Sequence, residues 1–127
     1  MEKIISGIII KDKRILLLKR WKDVKTAPNL WCLPWWHLEE WESNEQAVIR
    51  EVKEEVGLDF IPERLYKEVT ENNMYFHYIW QAKWKIIVDE NESDWYWWFS
   101  YIEALQLPMM HRIKLTLHSL IDDWLIK

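Results

Sequence analysis

Three glutamates, Glu51, Glu54 and Glu55, stand at spacings of i, i+3 and i+4 in the segment 44–56. At about 100° per residue on a helix they fall within one arc of roughly 100°. Val48, Ile49, Val52 and Val56 fall on the adjoining arc. The helix can therefore dock by its apolar side and aim the carboxylates in one direction. Three carboxylates this close repel one another. Solvent relieves the repulsion in an ordinary hydrated acidic face. A hard cation relieves it too, and oxygen ligands suit Mg2+ or Mn2+, which bind phosphates directly. Arg50 bears on the choice. It precedes Glu54 by four residues and follows Glu42 by eight, close enough to meet both. An arginine so placed would hold carboxylates in position, as a metal site requires.

The elements around this segment follow from local signals. Ser43 is a good N-cap and Gln46, three residues on, completes a capping box, so a helix is predicted to start there. Gly57 is the expected stop after Val56. Upstream, residues 3–10 and 14–20 are apolar runs of strand length joined at Lys11-Asp12-Lys13 as a hairpin. Residues 22–29 read as a loop, 30–33 as a short buried strand and 34–42 as a loop. Downstream, 62–70, 74–82, 83–88 and 95–99 read as strands. Ser100 and Glu103 form a second capping box before a short helix. Ile113, Leu117, Leu120, Ile121 and Trp124 recur at helical spacing, a core stripe for a last helix. The order points to an α+β domain with mixed sheet pairing.

Bulk properties narrow the function. A chain of 127 residues, half hydrophobic and 30% charged, fits one globular domain over residues 1–127. The net charge of −4 offers no basic footprint for nucleic acid or an anionic membrane. No segment approaches membrane-spanning length and the first residues lack a signal peptide's apolar stretch, so a cytoplasmic location is expected. Cys32 is the single cysteine, flanked by Trp31 and Leu33, and reads as a small core residue in a reducing compartment.

One pattern is far more specific than the helix alone. The chain reads Trp36, five residues, Glu42, seven residues, then Arg50-Glu51-Val52-Lys53-Glu54-Glu55-Val56-Gly57-Leu58. This resembles the box of the Nudix hydrolase family (MutT-like) at every constrained position except the first, where the family has glycine. Leu30-Trp31-Cys32-Leu33-Pro34 and Trp98-Phe99-Ser100 resemble flanking parts of the same family. The resemblance implies a Nudix fold, a mixed β-sheet sandwiched between α-helices. It implies Mg2+-dependent (or Mn2+-dependent) hydrolysis of a phosphoanhydride in a nucleoside di- or triphosphate derivative, a nucleotide-type small molecule. By position it makes Glu51, Glu54 and Glu55 metal ligands, with the backbone carbonyl of Trp36, and Arg50 and Glu42 the supporting pair. Glu54 is the expected general base, with a loop carboxylate as the alternative for that role and a purely structural pairing with Arg50 as the competing reading of Glu54. Glu90, Glu92 and Asp94 are candidates for a further acidic group, and a homodimer is compatible with the family. His37 also has relatives' counterparts, while His77, His111 and His118 read as structural or surface residues. Tyr75, Phe76, Tyr78 and Trp31 could stack on a base or could be core.

The chain departs from the family at positions 35, 36 and 41, all tryptophan where glycine is usual. At the usual share of about 7%, a chain this long carries roughly nine glycines; this one has 2, and 11 Trp. A bulky residue forced to positive φ costs on the order of 1–3 kcal/mol. Either the loop is rebuilt around tryptophan, with activity altered or lost, or several of these positions are glycine in the chain as the cell makes it. The arithmetic favours the second, with Trp21, Trp35, Trp36, Trp41, Trp80, Trp84 and Trp97 as glycine positions and Trp31, Trp98 and Trp124 as true aromatics. The reading competing with an enzyme is a non-catalytic Nudix-fold nucleotide-binding module. A third, an aromatic-rich carbohydrate-binding protein, rests on the tryptophan count alone.

Overall fold

The computed structural model describes residues 2–19, 29–38, 41–82 and 96–127. These form an α+β fold, a mixed sheet with three helices among the described residues. The chain divides into two compact units, Met1–Ile9 with Pro34–Gln81, and Ile10–Leu33 with Ala82–Lys127.

The first unit is built on β1 (Glu2–Lys11), whose residues from Ile4 to Ile10 are all buried, so it is covered on both faces. Strand β4 (Trp35–His37) pairs antiparallel with it, Ile4 opposite His37, Ile5 opposite Trp36 and Ser6 opposite Trp35. On its other side β1 neighbours β6 (Asn73–Gln81), which pairs antiparallel with β5 (Arg64–Val69) from Arg64↔Ile79 to Val69↔Met74. The expected loop over 34–42 is thus partly a strand. Pro34 begins it, its carbonyl accepting from Gly7 N–H at 3.0 Å, and the pairing with β1 is a long-range contact that no local signal announces.

Helix α1 (Asn44–Val56) has the predicted bounds. Ser43 Oγ accepts from Gln46 N–H, Gln46 returns the bond to Ser43 N–H, and Gly57 closes the helix at φ 74 with its N–H on the Lys53 carbonyl. Ala47, Val48 and Val52 are the buried face. Gly7 lets that face come close: a Cβ there would lie 2.9 Å from a Val52 methyl and 3.2 Å from a Val48 methyl. A side-chain hydrogen bond between Asn44 and Tyr78 ties the start of α1 to β6.

In the second unit the end of β1 turns into β2 (Arg14–Lys19) with Ile10↔Ile15 and Lys11↔Arg14 paired. Asp12 and Lys13 both take positive φ, 51° and 64°, the two-residue hairpin geometry that matches strand twist. β2 pairs with β3 (Trp31–Cys32) and with β7 (Tyr96–Phe99). Cys32 is free and buried, as expected of a core residue. Ser100 and Glu103 cap α2 (Tyr101–Leu105) with the expected box. In α3 (His111–Asp122) the stripe of Ile113, Leu117 and Leu120 is buried, but Trp124 is not part of it. The helix ends at Asp122, and Trp124 sits beyond it at φ 61 and 81% exposed, while Leu125 and Ile126 fill the core in its place. The expected strand 83–88, most of the loop 22–29, Trp21, Trp84, Trp95 and the acidic candidates Glu90, Glu92 and Asp94 lie outside the described residues.

Candidate active site on helix α1

The site residues all lie within the first unit. Glu42 precedes α1 and its carboxylate is almost fully buried, 4% exposed. A buried carboxylate requires a partner. Arg50 supplies it as a fork, Nε donating to Oε2 at 2.7 Å and Nη2 to Oε1 at 2.6 Å. Those hydrogen bonds hold the Glu42 carboxyl below the usual carboxylate range, against the opposing effect of burial. The same contact, with Glu54 and Glu51 adding to it, raises the Arg50 guanidinium further above its already high value.

Arg50 also reaches the helix's own acids. Nη2 lies 3.1 Å from Glu51 Oε1, and Nη1 donates to Glu54 Oε1 and Oε2 at 3.3 and 3.2 Å. One guanidinium thus joins three of the four glutamates that the spacing singled out. The exposures grade outward, from Glu42 through Glu51 at 24% to Glu54 at 61%. The fourth, Glu55, accepts from the Trp36 indole, Nε1 to Oε2 at 3.1 Å. Trp36 was singled out for its main-chain carbonyl. That its side chain meets Glu55 has a signal in hindsight, because the strand's period of two turns Trp36, opposite Ile5, to the face on which Gly7 meets α1.

The donor set on this face is carboxylate oxygen throughout, with no thiol or imidazole, which suits a hard cation such as Mg2+ or Mn2+. Among the described residues no three His, Cys, Asp or Glu side chains are mutually arranged around a common metal position. Glu51 and Glu54 instead meet Arg50, and Glu55 meets the Trp36 indole.

The loop tryptophans do not carry the expected strain. Among the described non-glycine residues only Asp12, Lys13, Asn29 and Trp124 have positive φ, so Trp35, Trp36 and Trp41 keep ordinary backbones. Each also finds a partner. Trp35 lies edge-on to His37 at 5.5 Å, and the Arg50 guanidinium stands 5.8 Å from the Trp41 ring centroid. His37 itself is exposed, 3.5 Å from Glu2. Of the other histidines, His77 is buried, its Nδ1 at 2.5 Å from the Ser6 hydroxyl and its Nε2 at 3.5 Å from Glu68, while His118 meets the Tyr101 hydroxyl. Sequence reasoning did not foresee the Ser6–His77 pair, which joins residues 71 apart in sequence. Phe76 and Tyr78 are buried as core, Tyr75 stacks on His77, and Trp31 packs edge-on against Phe99.

A family model described as the NUDIX domain matches residues 2–120. The chain belongs to the Nudix family. Among Nudix relatives, an ADP-ribose pyrophosphatase of Methanocaldococcus jannaschii is 48% identical over 56 residues, 42% of this chain and 31% of its own length. A dihydroneopterin triphosphate diphosphatase of Escherichia coli K12 is 31% identical over 115 residues, 89% of this chain and 69% of its own. This Nudix chain therefore spans about a third of the first relative and about two thirds of the second. Among solved structures, a MutT from a study of Aliivibrio salmonicida and Vibrio cholerae superposes with a TM-score of 0.76 at 19% identity, over 96% of this chain and 98% of that one. At that identity the likeness speaks for the Nudix fold alone.

Proposed function

We propose that this Nudix chain is a divalent-metal-dependent hydrolase that cleaves a phosphoanhydride bond in a nucleoside di- or triphosphate derivative. The observation that carries the reading is the Arg50 guanidinium, which grips buried Glu42 by a fork and reaches Glu51 and Glu54 on the exposed side. A purely solvated acidic face has no use for a buried carboxylate that fixes its arginine. The family model extends across both compact units, which supports treating residues 1–127 as one catalytic domain.

Glu51, Glu54 and Glu55 would hold the cation, Mg2+ or Mn2+, with the Trp36 carbonyl as a further oxygen. Bound there, the cation supplies neutralisation of phosphate charge and a water of lowered pKa. Glu54 is more exposed than Glu51 and would take the proton from the attacking water. Arg50 limits the swing of Glu51 and Glu54, and Glu42 limits the swing of Arg50. Substrates worth testing first are nucleoside diphosphates carrying a sugar, after the archaeal relative, and pterin or nucleoside triphosphates, after the bacterial one. The expected setting is the cytoplasm, with a small molecule as the partner and no nucleic acid or membrane, and a homodimer as the assembly.

The test is a panel of nucleotides, nucleotide sugars and dihydroneopterin triphosphate with Mg2+, run on the unaltered protein and on Glu54→Gln and Glu55→Gln. Metal-dependent phosphate or pyrophosphate release that both variants lose is the expected result. Full turnover in both variants would remove the site assignment, and no metal-dependent release from any substrate would leave the non-catalytic module as the better account.

A further inference from the structure

Among the described residues β5 ends the strand order, with β6 on one side of it only. Thr70 N–H donates to the Asn73 carbonyl at 2.9 Å, in step with the Val69↔Met74 register. In an antiparallel ladder alternate residues turn their main-chain groups to the neighbouring strand. The even-numbered residues of β5 therefore point theirs at β6, and Leu65, Lys67 and Val69 point theirs outward. An edge of this kind is a template for another strand.

The side chains of Leu65, Lys67 and Val69 are exposed as well. Upstream the chain stays beside β6, with Glu63 N–H on the Ile79 carbonyl at 2.9 Å and Glu63 Oε1 accepting from Gln81 N–H at 2.8 Å. Glu63 and Ile61 are exposed too. Every second residue along this edge thus runs Ile61, Glu63, Leu65, Lys67, Val69. Reversed about Leu65, the row is its own complement.

That property selects the partner. A two-fold axis perpendicular to a sheet sets each residue opposite the one equally far from the centre on the other copy. With the centre at Leu65, Ile61 faces Val69 and Glu63 faces Lys67, each pair occurring twice. Apolar residues cover one another and opposite charges meet. Other centres do worse. Lys67 would set two lysines face to face, Arg64 two arginines and Glu68 two glutamates. Tyr66 would set Leu65 against Lys67 and Val69 against Glu63, and a centre at Val69 would overlap little of β5. A lysine on an edge ordinarily deters strand addition. Here Glu63 of a second copy answers it.

We infer that the free edge of β5 is a homodimer interface, two copies pairing antiparallel about a two-fold axis at Leu65. This rests on the homodimer named above as the assembly and gives it a place in the fold. It does not rest on the hydrolase reading, so the test omits metal and nucleotide. Sedimentation equilibrium of the full chain should return twice its 15.8 kDa. Leu65→Lys and Lys67→Glu should both be monomeric, the second because it sets acid against Glu63, and Glu63→Lys/Lys67→Glu should restore the dimer. Cysteine variants test the register without relying on those changes. Opposed residues lie about 5.5 Å apart, within disulfide reach, so Leu65→Cys should crosslink on mild oxidation. Lys67 and its copy would stand four residues apart along the pair, about 14 Å, so Lys67→Cys should not. A monomer at every concentration would overturn the interface. So would a dimer that Leu65→Lys leaves intact, because the two copies would then meet elsewhere. Crosslinking through Lys67→Cys in place of Leu65→Cys would overturn the axis at Leu65.

Discussion

Arg50 meets Glu42 at two points, Nε on Oε2 at 2.7 Å and Nη2 on Oε1 at 2.6 Å, and the plane set by that fork decides where its Nη1 and Nη2 protons point next. They point at Glu51 and Glu54. Lysine at this position would keep the charge and lose the plane. Arg50→Lys is therefore expected to lower kcat/KM for metal-dependent hydrolysis by about 10–100-fold, with a fall in thermal midpoint as Glu42 loses its two-point partner. Wild-type kinetics in Arg50→Lys would show that the fork geometry is dispensable.

The same pair fixes a pH dependence. The Glu42 carboxyl titrates lower in the folded chain than in the unfolded one, chiefly through its hydrogen bonds from Arg50. Its stabilisation is then fully present above the unfolded value, about 4.3, and is lost as the pH falls through the lower folded value. Glu103 contributes in the same sense through the Ser100 N–H. Thermal midpoints of the unaltered protein and Glu42→Gln, compared from neutral pH downward, should differ by a constant amount above about pH 5 and converge in acid. A gap that widens in acid would contradict the sign.

Gly7 should tolerate no side chain. A methyl at its Cβ would sit 2.9 Å from Val52 and 3.2 Å from Val48, both β-branched and fully buried, with few rotamers to retreat into. Gly7→Ala is expected to cost about 1–3 kcal/mol in urea unfolding and to lower activity as well, because α1 must shift. A change in stability with activity untouched would mean the helix absorbs the methyl without moving its carboxylates.

Trp124 offers the opposite prediction. It holds φ 61 just past α3, with its side chain 81% exposed, so it carries the left-handed penalty and little packing to offset it. Trp124→Gly should stabilise the chain by about 1 kcal/mol. The Lys13 ammonium bonds the Trp124 main-chain carbonyl at 2.5 Å, and the substitution leaves that contact intact. A loss of stability would assign the exposed ring a packing role.

Intact mass decides between the two accounts of the tryptophans. The stated composition gives 15.8 kDa, and whole Trp-to-Gly decrements below it would place glycine in the natural chain. The full mass would leave the loop rebuilt around tryptophan, with Trp36 on Glu55 and Trp41 beside Arg50.

What could be read from sequence was whatever local chemistry determines. The bounds of α1 follow from Ser43, Gln46 and Gly57 acting on residues within one turn, and the Glu42–Arg50 contact follows from a short spacing that the helix entrance folds back on itself. What escaped was decided over distance. Strand β4 exists because β1 is there to pair with it, and Pro34 with its tryptophans signals only a turn. Trp124 fits the helical period of α3 in sequence, but the helix has stopped two residues earlier, so the periodicity no longer applies. The Trp36–Glu55 bond spans 19 residues and two elements, and it is visible only once the sheet register is known.

Arg50 is about a third exposed, while the carboxylate it anchors is nearly sealed. Reagents that cap guanidiniums with dicarbonyls can reach it from solvent, and a capped guanidinium can no longer bridge. One modified side chain would then loosen three acids together, so a single-site chemical label should silence the protein without touching a single glutamate. Substrate phosphate or bound metal should slow the labelling if they gather the same acids.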